Sequence, residues 1–184
     1  MNKILVSILF CTLLISCNTQ TISEQKKEIL GLREMNALAT AEYTITKVVK
    51  ANDNQTWFKV GDRKILLSCT GTIKAGIDLS QLTENDVIIN KKELSLQLQP
   101  AKIISLSIPP ELIKLEFQQV GFWRDKFTNA EQNELMAQAE TQIRQVADSI
   151  GILKTAQANA TQFISNFLKR LGYSAININY LSKK

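Results

Sequence analysis

Hydrophobic and polar residues alternate through the first half of the chain, as they do in strands that bury one face. Ala41, Tyr43 and Ile45 begin this pattern, and it recurs in several later segments. Proline residues 109 and 110 close the alternating region. The pattern predicts a strand from Thr40 and further strands at 57–60, 64–70, 68–80, 87–89, 93–98 and 102–108.

Two polar segments in this region are typical of turns. Residues 51–54 read Ala-Asn-Asp-Asn, which predicts a turn after the first strand. Gly61 and Asp62 separate segment 57–60 from segment 64–70. A two-residue Gly-Asp loop favours a tight hairpin, so these two segments are predicted to pair.

The second half of the chain follows the period of a helix. Phe117, Phe122, Trp123 and Phe127 lead into it. Thr128 and Glu131 have the spacing of a capping box, so a helix is predicted to begin near Asn129. An earlier helix is predicted over 24–38. In the second half, Gly151 breaks, kinks or weakens the long helix, and Gly172 is predicted to be its C-cap. A last strand is predicted over 173–180.

This order of elements predicts an α+β fold. Its sheet is mostly antiparallel and comes from the first half, the C-terminal helices pack against it, and a final strand returns at the C-terminus.

The first residues have the pattern of a bacterial export signal. A short basic start is followed by thirteen mostly apolar residues, 4–16, which are too few to cross about 30 Å of hydrocarbon. Leu14–Cys17 resembles the bacterial lipobox, which directs lipid attachment to its cysteine. We therefore expect a signal peptide at 1–16, a lipidated Cys17 with a tether to residue 23, and a single α+β domain at 24–184.

A lipidated Cys17 would make the membrane a partner of the protein. Two acyl chains hold a protein on a bilayer almost permanently. By resemblance to other lipoproteins, Asn18 in place of an aspartate implies an outer-membrane anchor facing the periplasm. Lys26 and Lys27 either contact anionic headgroups or belong to a solvated linker.

Composition excludes several kinds of chemistry. The chain has no histidine, which removes Ser-His-Asp and Cys-His catalysis and imidazole metal sites. Cys69 is the one cysteine outside the leader and lipobox, and its apolar surroundings predict a buried thiol. The net charge of +5 is spread along the chain rather than gathered in a stripe, so we expect no nucleic-acid partner. No metal or cofactor is predicted.

Two groups of residues are candidates for binding. Lys74, Gly76 and Asp78 lie on the polar face of the predicted strand 68–80. For Asp78 we favour a turn with Ser80 over a binding role shared with Lys74, and for Gly76 a bulge or close backbone approach. Trp123 and Arg124 form the second group: packing at the junction of sheet and helix is favoured over stacking on a ligand.

Four segments resemble the bacterial domain-of-unknown-function family numbered 4230, often seen as lipoproteins. They are Ala39–Tyr43, Gly71–Ser80, Gly151–Ala156 and Leu171–Tyr173, within a resemblance that runs from Leu38 to Tyr180. The second segment is the most specific. The resemblance implies an envelope lipoprotein and carries no established activity.

The sequence therefore favours a non-enzymatic, lipid-anchored envelope protein that binds a partner protein or assembles with itself. The alternative is a carrier of a small molecule or lipid. An enzyme that uses a carboxylate or a lysine is the third hypothesis.

Overall fold

A computed structural model describes residues 21–53 and 61–182 of the chain. It confirms the α+β fold, with strands in the first half, two long C-terminal helices and a final strand. The helices are α1 (Ile22–Leu30), α2 (Asn129–Ser149) and α3 (Ile152–Arg170), and the strands are β1 (Ala37–Asp53), β2 (Arg63–Asp78), β3 (Val87–Asn90), β4 (Glu93–Leu98), β5 (Lys102–Ser107), β6 (Ile113–Val120) and β7 (Ala175–Tyr180).

A long antiparallel hairpin of β1 and β2 forms the centre of the larger sheet. The two strands have 17 and 16 residues and pair from Ala37 opposite Asp78 to Asp53 opposite Arg63. Strands β5 and β6 share the other edge of β2, one along each half of it. At about 3.3 Å per residue the hairpin is about 50 Å long, so its two ends are far apart.

A smaller sheet contains β3, β4 and β7. Strand β4 is antiparallel to β3 and parallel to β7, which confirms the predicted return of the chain at its C-terminus. In β7 the half-buried Ile176, Ile178 and Tyr180 alternate with exposed residues, as their spacing predicts.

Helices α2 and α3 cover one face of the hairpin, which we call the inner face. Helix α2 begins at Asn129 as predicted, because the Thr128 hydroxyl accepts a hydrogen bond from the Glu131 amide and the Glu131 carboxylate accepts one from the Thr128 amide. Gly151 adopts a φ of +78° between the two helices. This left-handed conformation suits glycine, so the sequence breaks the long helix here.

Two apolar cores lie along the inner face. The larger core is at the Ala37 end and joins both sheets to α1 and α3. The smaller core is at the Asp53 end, under the start of α2, and consists of Val49, Ile65, Leu67, Cys69, Phe127, Leu135 and Ala139. The buried position of Cys69 confirms the sequence prediction for this thiol.

Three predicted boundaries are wrong. Residues 51–53 are not a turn: they continue β1, because Asn52 and Asp53 pair with Lys64 and Arg63. Helix α1 begins at Ile22, within the stretch predicted as tether, and ends at Leu30. The chain then makes a 3-10 turn over Gly31–Met35, and Ala37 and Leu38 join the sheet instead of the helix.

The predicted pairing partner of segment 64–70 is also different. Strands β1 and β6 pair with it, whereas the predicted strand 57–60 lies outside the described residues. Strand β6 itself was not predicted. Its alternation is nevertheless present in the sequence, since Ile113, Leu115 and Phe117 are separated by the polar Lys114 and Glu116.

Gly76 lies where the backbones of β1 and β2 approach each other closely. A Cβ atom built on it would be 1.9 Å from the Leu38 carbonyl oxygen and 2.7 Å from the Ala39 Cα. The register of β1 shifts beside it, between Ala39 and Ala41. The structure thus confirms a bulge with close backbone approach at Gly76.

We expect Gly76→Ala to lower the free energy of unfolding by about 3 kcal/mol, because the added methyl group forces β1 away from β2. Gly31→Ala is the matched control, since a Cβ there meets nothing within 4 Å. The control should be neutral or slightly stabilising. Urea unfolding of both variants measures the difference, and equal midpoints would contradict the predicted clash.

Candidate functional site

The candidate residues on β2 are bound to neighbouring side chains of the fold. Lys74 Nζ lies 3.3 Å from Glu42 Oε2, and both side chains are about half exposed. The two residues line a cleft of about 310 Å³ beside the start of β1. An exposed pair of this kind contributes little stability.

Asp78 forms the predicted turn. Its Oδ1 accepts hydrogen bonds from the Ser80 amide at 3.0 Å and the Ser80 hydroxyl at 2.6 Å, and its Oδ2 is 2.7 Å from Lys102 Nζ. The bonds from Lys102 and Ser80 lower the pKa of Asp78 from 3.8 to about 2. The space beside it is about 10 Å³, enough for one water molecule. Lys74 and Asp78 therefore have separate partners and do not form one site.

Trp123 is on the surface, so the favoured prediction of core packing is wrong for this residue. It is 75% exposed and its neighbour Phe122 is 90% exposed. The two rings contact each other edge to face with their centroids 5.0 Å apart. Of the four aromatic residues between 117 and 127, all within the described part of the chain, only Phe127 is buried. We call Phe122 and Trp123 the aromatic tip.

The backbone beneath the aromatic tip is fixed by the end of the hairpin. The Gly121 amide donates a hydrogen bond to the Asp62 carbonyl oxygen, and the Arg124 amide donates one to the Gly121 carbonyl oxygen. A Cβ on Gly121 would lie 3.0 Å from the Gly61 Cα, so the two chain segments touch where each has a glycine. The backbone at the base of the aromatic tip is thus held by a close contact between Gly121 and Gly61.

Arg124, the residue after the aromatic tip, attaches the tip to the end of the hairpin. Its side chain is 8% exposed, and Nη1 donates to the Gly61 carbonyl oxygen at 2.9 Å while Nη2 bonds the Asp53 carboxylate. The Arg124 side chain is therefore largely enclosed at the predicted junction, but through an ion pair and a hydrogen bond rather than by core packing.

The same carboxylate belongs to a larger ion-pair network. Arg63 donates to Asp53 through Nε at 3.1 Å and Nη2 at 2.9 Å, and it donates to both carboxylate oxygens of Glu131. The Arg63 guanidinium carbon also lies 4.6 Å from the centre of the Phe127 ring. The network joins β1, β2, the loop after β6 and the first turn of α2.

Electrostatics within this network follow from its hydrogen bonds. Bonds from Arg63 and from the Thr128 amide and hydroxyl lower the pKa of Glu131 from 4.5 to about 2. The hydrogen bond to Glu131 raises the pKa of Arg63. Both residues therefore remain charged over the ordinary range of pH.

A cleft of about 290 Å³ opens beside the network. It is lined by Arg63, Phe127, Glu131, Glu134 and their neighbours, so charged groups surround its apolar floor. Deeper between sheet and helices the space is filled, since Ile65 is 1% exposed and Cys69 and Ala139 are 0% exposed. These two facts disfavour a deep apolar binding cavity at this end of the helices.

Exposed apolar side chains are concentrated in the segment of the chain that leads to the aromatic tip. Twelve large hydrophobic side chains are exposed among the described residues, and five of them lie between residues 112 and 123. These five are Leu112, Leu115, Phe117, Phe122 and Trp123. Of these five, Phe122 and Trp123 are in direct ring contact and form an exposed apolar patch of the kind found at interaction sites.

Sequence reasoning found Trp123 and Arg124, placed Phe122 in the same aromatic lead-in, and missed Asp53 and Arg63 as parts of this region. Asp53 was assigned to a turn, and Arg63 carried no motif. The capping box identified Glu131 correctly, but its bonds to Arg63 bridge 68 residues of sequence. No local pattern marks such a contact.

Cys17 lies outside the described residues. Among those that the structure does describe, no helix is both long and apolar enough to cross a bilayer. Lys26 is partly engaged, because its Nζ donates to the Glu84 carbonyl oxygen at 3.0 Å.

The described residues define an α+β domain with a long central hairpin, an ion-pair network at one end of it and an exposed aromatic tip. The chain belongs to the family described as protein of unknown function (DUF4230), whose model matches residues 31–178. The search of the curated proteins and the search of the solved structures each found no match.

We expect Glu131→Gln to lower the urea midpoint at pH 7, because it removes the charged partner of Arg63. A carboxylate with a lowered pKa in the folded protein stabilises it above about pH 4.5 and loses this effect as the pH falls toward 2. The difference in urea midpoint between wild type and variant should therefore be largest at pH 7 and become smaller below pH 4.5. Unfolding curves between pH 7 and pH 2.5 measure it.

Glu140→Gln is the control for this pH series, because Glu140 forms only an exposed pair with Arg144 on α2. We expect it to change the midpoint little at any pH. A gap for Glu131→Gln that is constant down to pH 2.5 would contradict the assigned role of the carboxylate.

Proposed function

We propose that this chain is a lipid-anchored, non-enzymatic protein of the bacterial cell envelope that binds a partner protein through its aromatic tip. The observation that carries the binding role is the exposure of Phe122 and Trp123 on a fixed backbone. The lipobox at Leu14–Cys17 supports the anchor, and Asn18 supports an outer-membrane, periplasm-facing location.

The fixed backbone distinguishes the tip from an ordinary mobile loop. Tryptophan and tyrosine dominate the binding energy of many protein interfaces, and rigid presentation lowers the entropy lost on binding. Here Arg124 and the Gly61–Gly121 contact supply that rigidity. Phe117, which is 49% exposed on β6 and pairs with Leu66, adds one more exposed aromatic side chain in the same segment of the chain.

The position of the tip also suits a protein partner. Helix α1, which follows the proposed anchor, packs into the core at the Ala37 end of the hairpin. The tip lies at the Asp53 end, about 50 Å away along the strands. An anchored domain of this shape would present the tip at a distance from its attachment point.

The second candidate is a carrier of a small molecule or lipid. The cleft of about 290 Å³ beside Arg63 is the observation in its favour. The cleft has a charged lining and the interior of the domain is filled. These features support a carrier less strongly than the exposed aromatic tip supports binding of a partner protein. An enzyme remains the third hypothesis, and the absence of histidine and the separate structural partners of Lys74 and Asp78 weigh against it.

The anchor is tested by labelling cells with a radioactive or clickable fatty acid and fractionating them. Wild-type protein should be labelled and sediment with the envelope membranes. Cys17→Ser should be unlabelled, because a serine hydroxyl cannot form the thioether. Unlabelled wild-type protein in the soluble fraction would overturn the proposed anchor while leaving the binding proposal open to its own test.

The binding role is tested with a photoreactive residue in place of Phe122 in the full-length chain. Illumination of cells should yield one discrete adduct with another protein. Adding Trp123→Ser should reduce its yield at least roughly fivefold, since a central aromatic residue at an interface typically contributes over 1 kcal/mol.

Ile88→Ser is the matched control, because Ile88 is 65% exposed on the other sheet. It should leave the adduct unchanged. A smear of abundant envelope proteins, or an adduct insensitive to Trp123→Ser, would contradict binding through the tip.

A further inference from the structure

Strand β1 has a long edge that no other described strand occupies. Its 17 residues exceed the usual strand length of about 3–10 residues, and only β2 pairs with it in the part of the chain that the structure describes. Along a strand, alternate backbone N–H and C=O groups point to each side. The side of β1 away from β2 is therefore a template for another strand.

Helix α3 covers the first part of this edge. Asn159 Nδ2 donates a hydrogen bond to the Thr40 carbonyl oxygen at 2.9 Å, and the Thr40 hydroxyl donates one to the Ala156 carbonyl oxygen at 2.6 Å. The part that remains open to a partner strand thus begins after Thr40. Val48, within that part, is 52% exposed.

The side chains along the edge restrict which strand can pair with it. In antiparallel pairing, residues directly opposite each other share a face of the sheet. The odd-numbered residues of β1 from Ala41 onward face the helices, and the even-numbered ones face away. If β1 pairs with β1 of a second copy and the helices of both copies lie on the same side of the joined sheet, even-numbered residues of one β1 must lie opposite even-numbered residues of the other.

Charge selects one such register. Glu42 and Lys50 are opposite in charge and lie on the same face, the one turned away from the helices. If Glu42 of one copy lies opposite Lys50 of the other, the reciprocal pair forms as well, and Thr46 lies on the two-fold axis. Lys47 then faces Ile45. Registers centred on Lys47 or Lys50 would instead place two lysines together.

We propose that β1 pairs with β1 of a second copy of this chain, antiparallel and centred on Thr46. The two four-stranded sheets then form one sheet of eight strands. The paired segment runs from Glu42 to Lys50, and two Glu42–Lys50 ion pairs close its ends. Glu42 also lies 3.3 Å from Lys74 of its own chain, so its two carboxylate oxygens can serve both lysines. This inference depends on neither Cys17 nor the aromatic tip.

A first experiment tests the register with Thr46→Cys in the full-length protein in cell membranes, treated with a short bifunctional thiol reagent. Thr46 of two copies should lie close enough at the axis to give a crosslinked dimer. Thr70→Cys is the matched control, because Thr70 lies on the same face opposite Thr46 but on the inner strand β2. Equal crosslinking of the two variants, or none, would overturn the proposal.

A second experiment tests the ion pairs by charge exchange. Lys50→Glu places Glu42 against a glutamate twice in each dimer, so the dimer fraction measured by sedimentation in detergent should fall roughly fivefold or more. All proteins compared carry Lys74→Ala, which removes the lysine beside position 42, so adding Glu42→Lys restores opposite charges in both pairs and should recover most of the dimer. Circular dichroism of each variant separates weaker pairing from misfolding. A folded Lys50→Glu variant with an unchanged dimer fraction, or no recovery in the double variant, would contradict the proposed register.

Discussion

The pairing of β1 with β2 along their full lengths determines where the other elements lie. Because the odd-numbered residues of both strands point to one face, a single apolar stripe runs from Ala41 to Val49 and from Ile65 to Ile77. Helices α2 and α3 bury that stripe, and β5 and β6 complete the sheet on the free side of β2. Gly76 allows the pairing to continue to its end, because no side chain separates the two backbones there.

The length of this hairpin separates two kinds of structure. At the Ala37 end a large apolar core holds together both sheets, α1 and α3. At the Asp53 end a core of seven residues is supplemented by the ion pairs of Arg63 and Arg124. Ion pairs therefore help to stabilise the Asp53 end of the hairpin, and Phe122 and Trp123 are not part of its packing. The aromatic tip is therefore exposed on a supported backbone rather than on a poorly packed one.

Sequence reasoning succeeded where a short-range rule applies. Alternation identified the buried face of Ile73, Ala75 and Ile77, the capping box located the start of α2, and the Asx turn of Asp78 with Ser80 formed as expected. Apart from β6, whose alternation is present in the sequence, it failed where a distant partner decides. Residues 51–53 have the composition of a turn but remain extended, because they pair with Arg63 and Lys64 and because Arg63 and Arg124 bind the Asp53 carboxylate.

The sequence by itself determined the α+β order of elements, the family, the lipobox prediction and the exclusion of histidine chemistry, because each depends on residue types at short spacing. Only the tertiary structure decided that Trp123 is exposed, that Arg124 is an anchor, and that Asp53, Arg63 and Glu131 form one network. These facts depend on contacts between residues 10 to 71 positions apart. Local patterns carry no information about such contacts, since they arise only when the hairpin, β6 and α2 pack together.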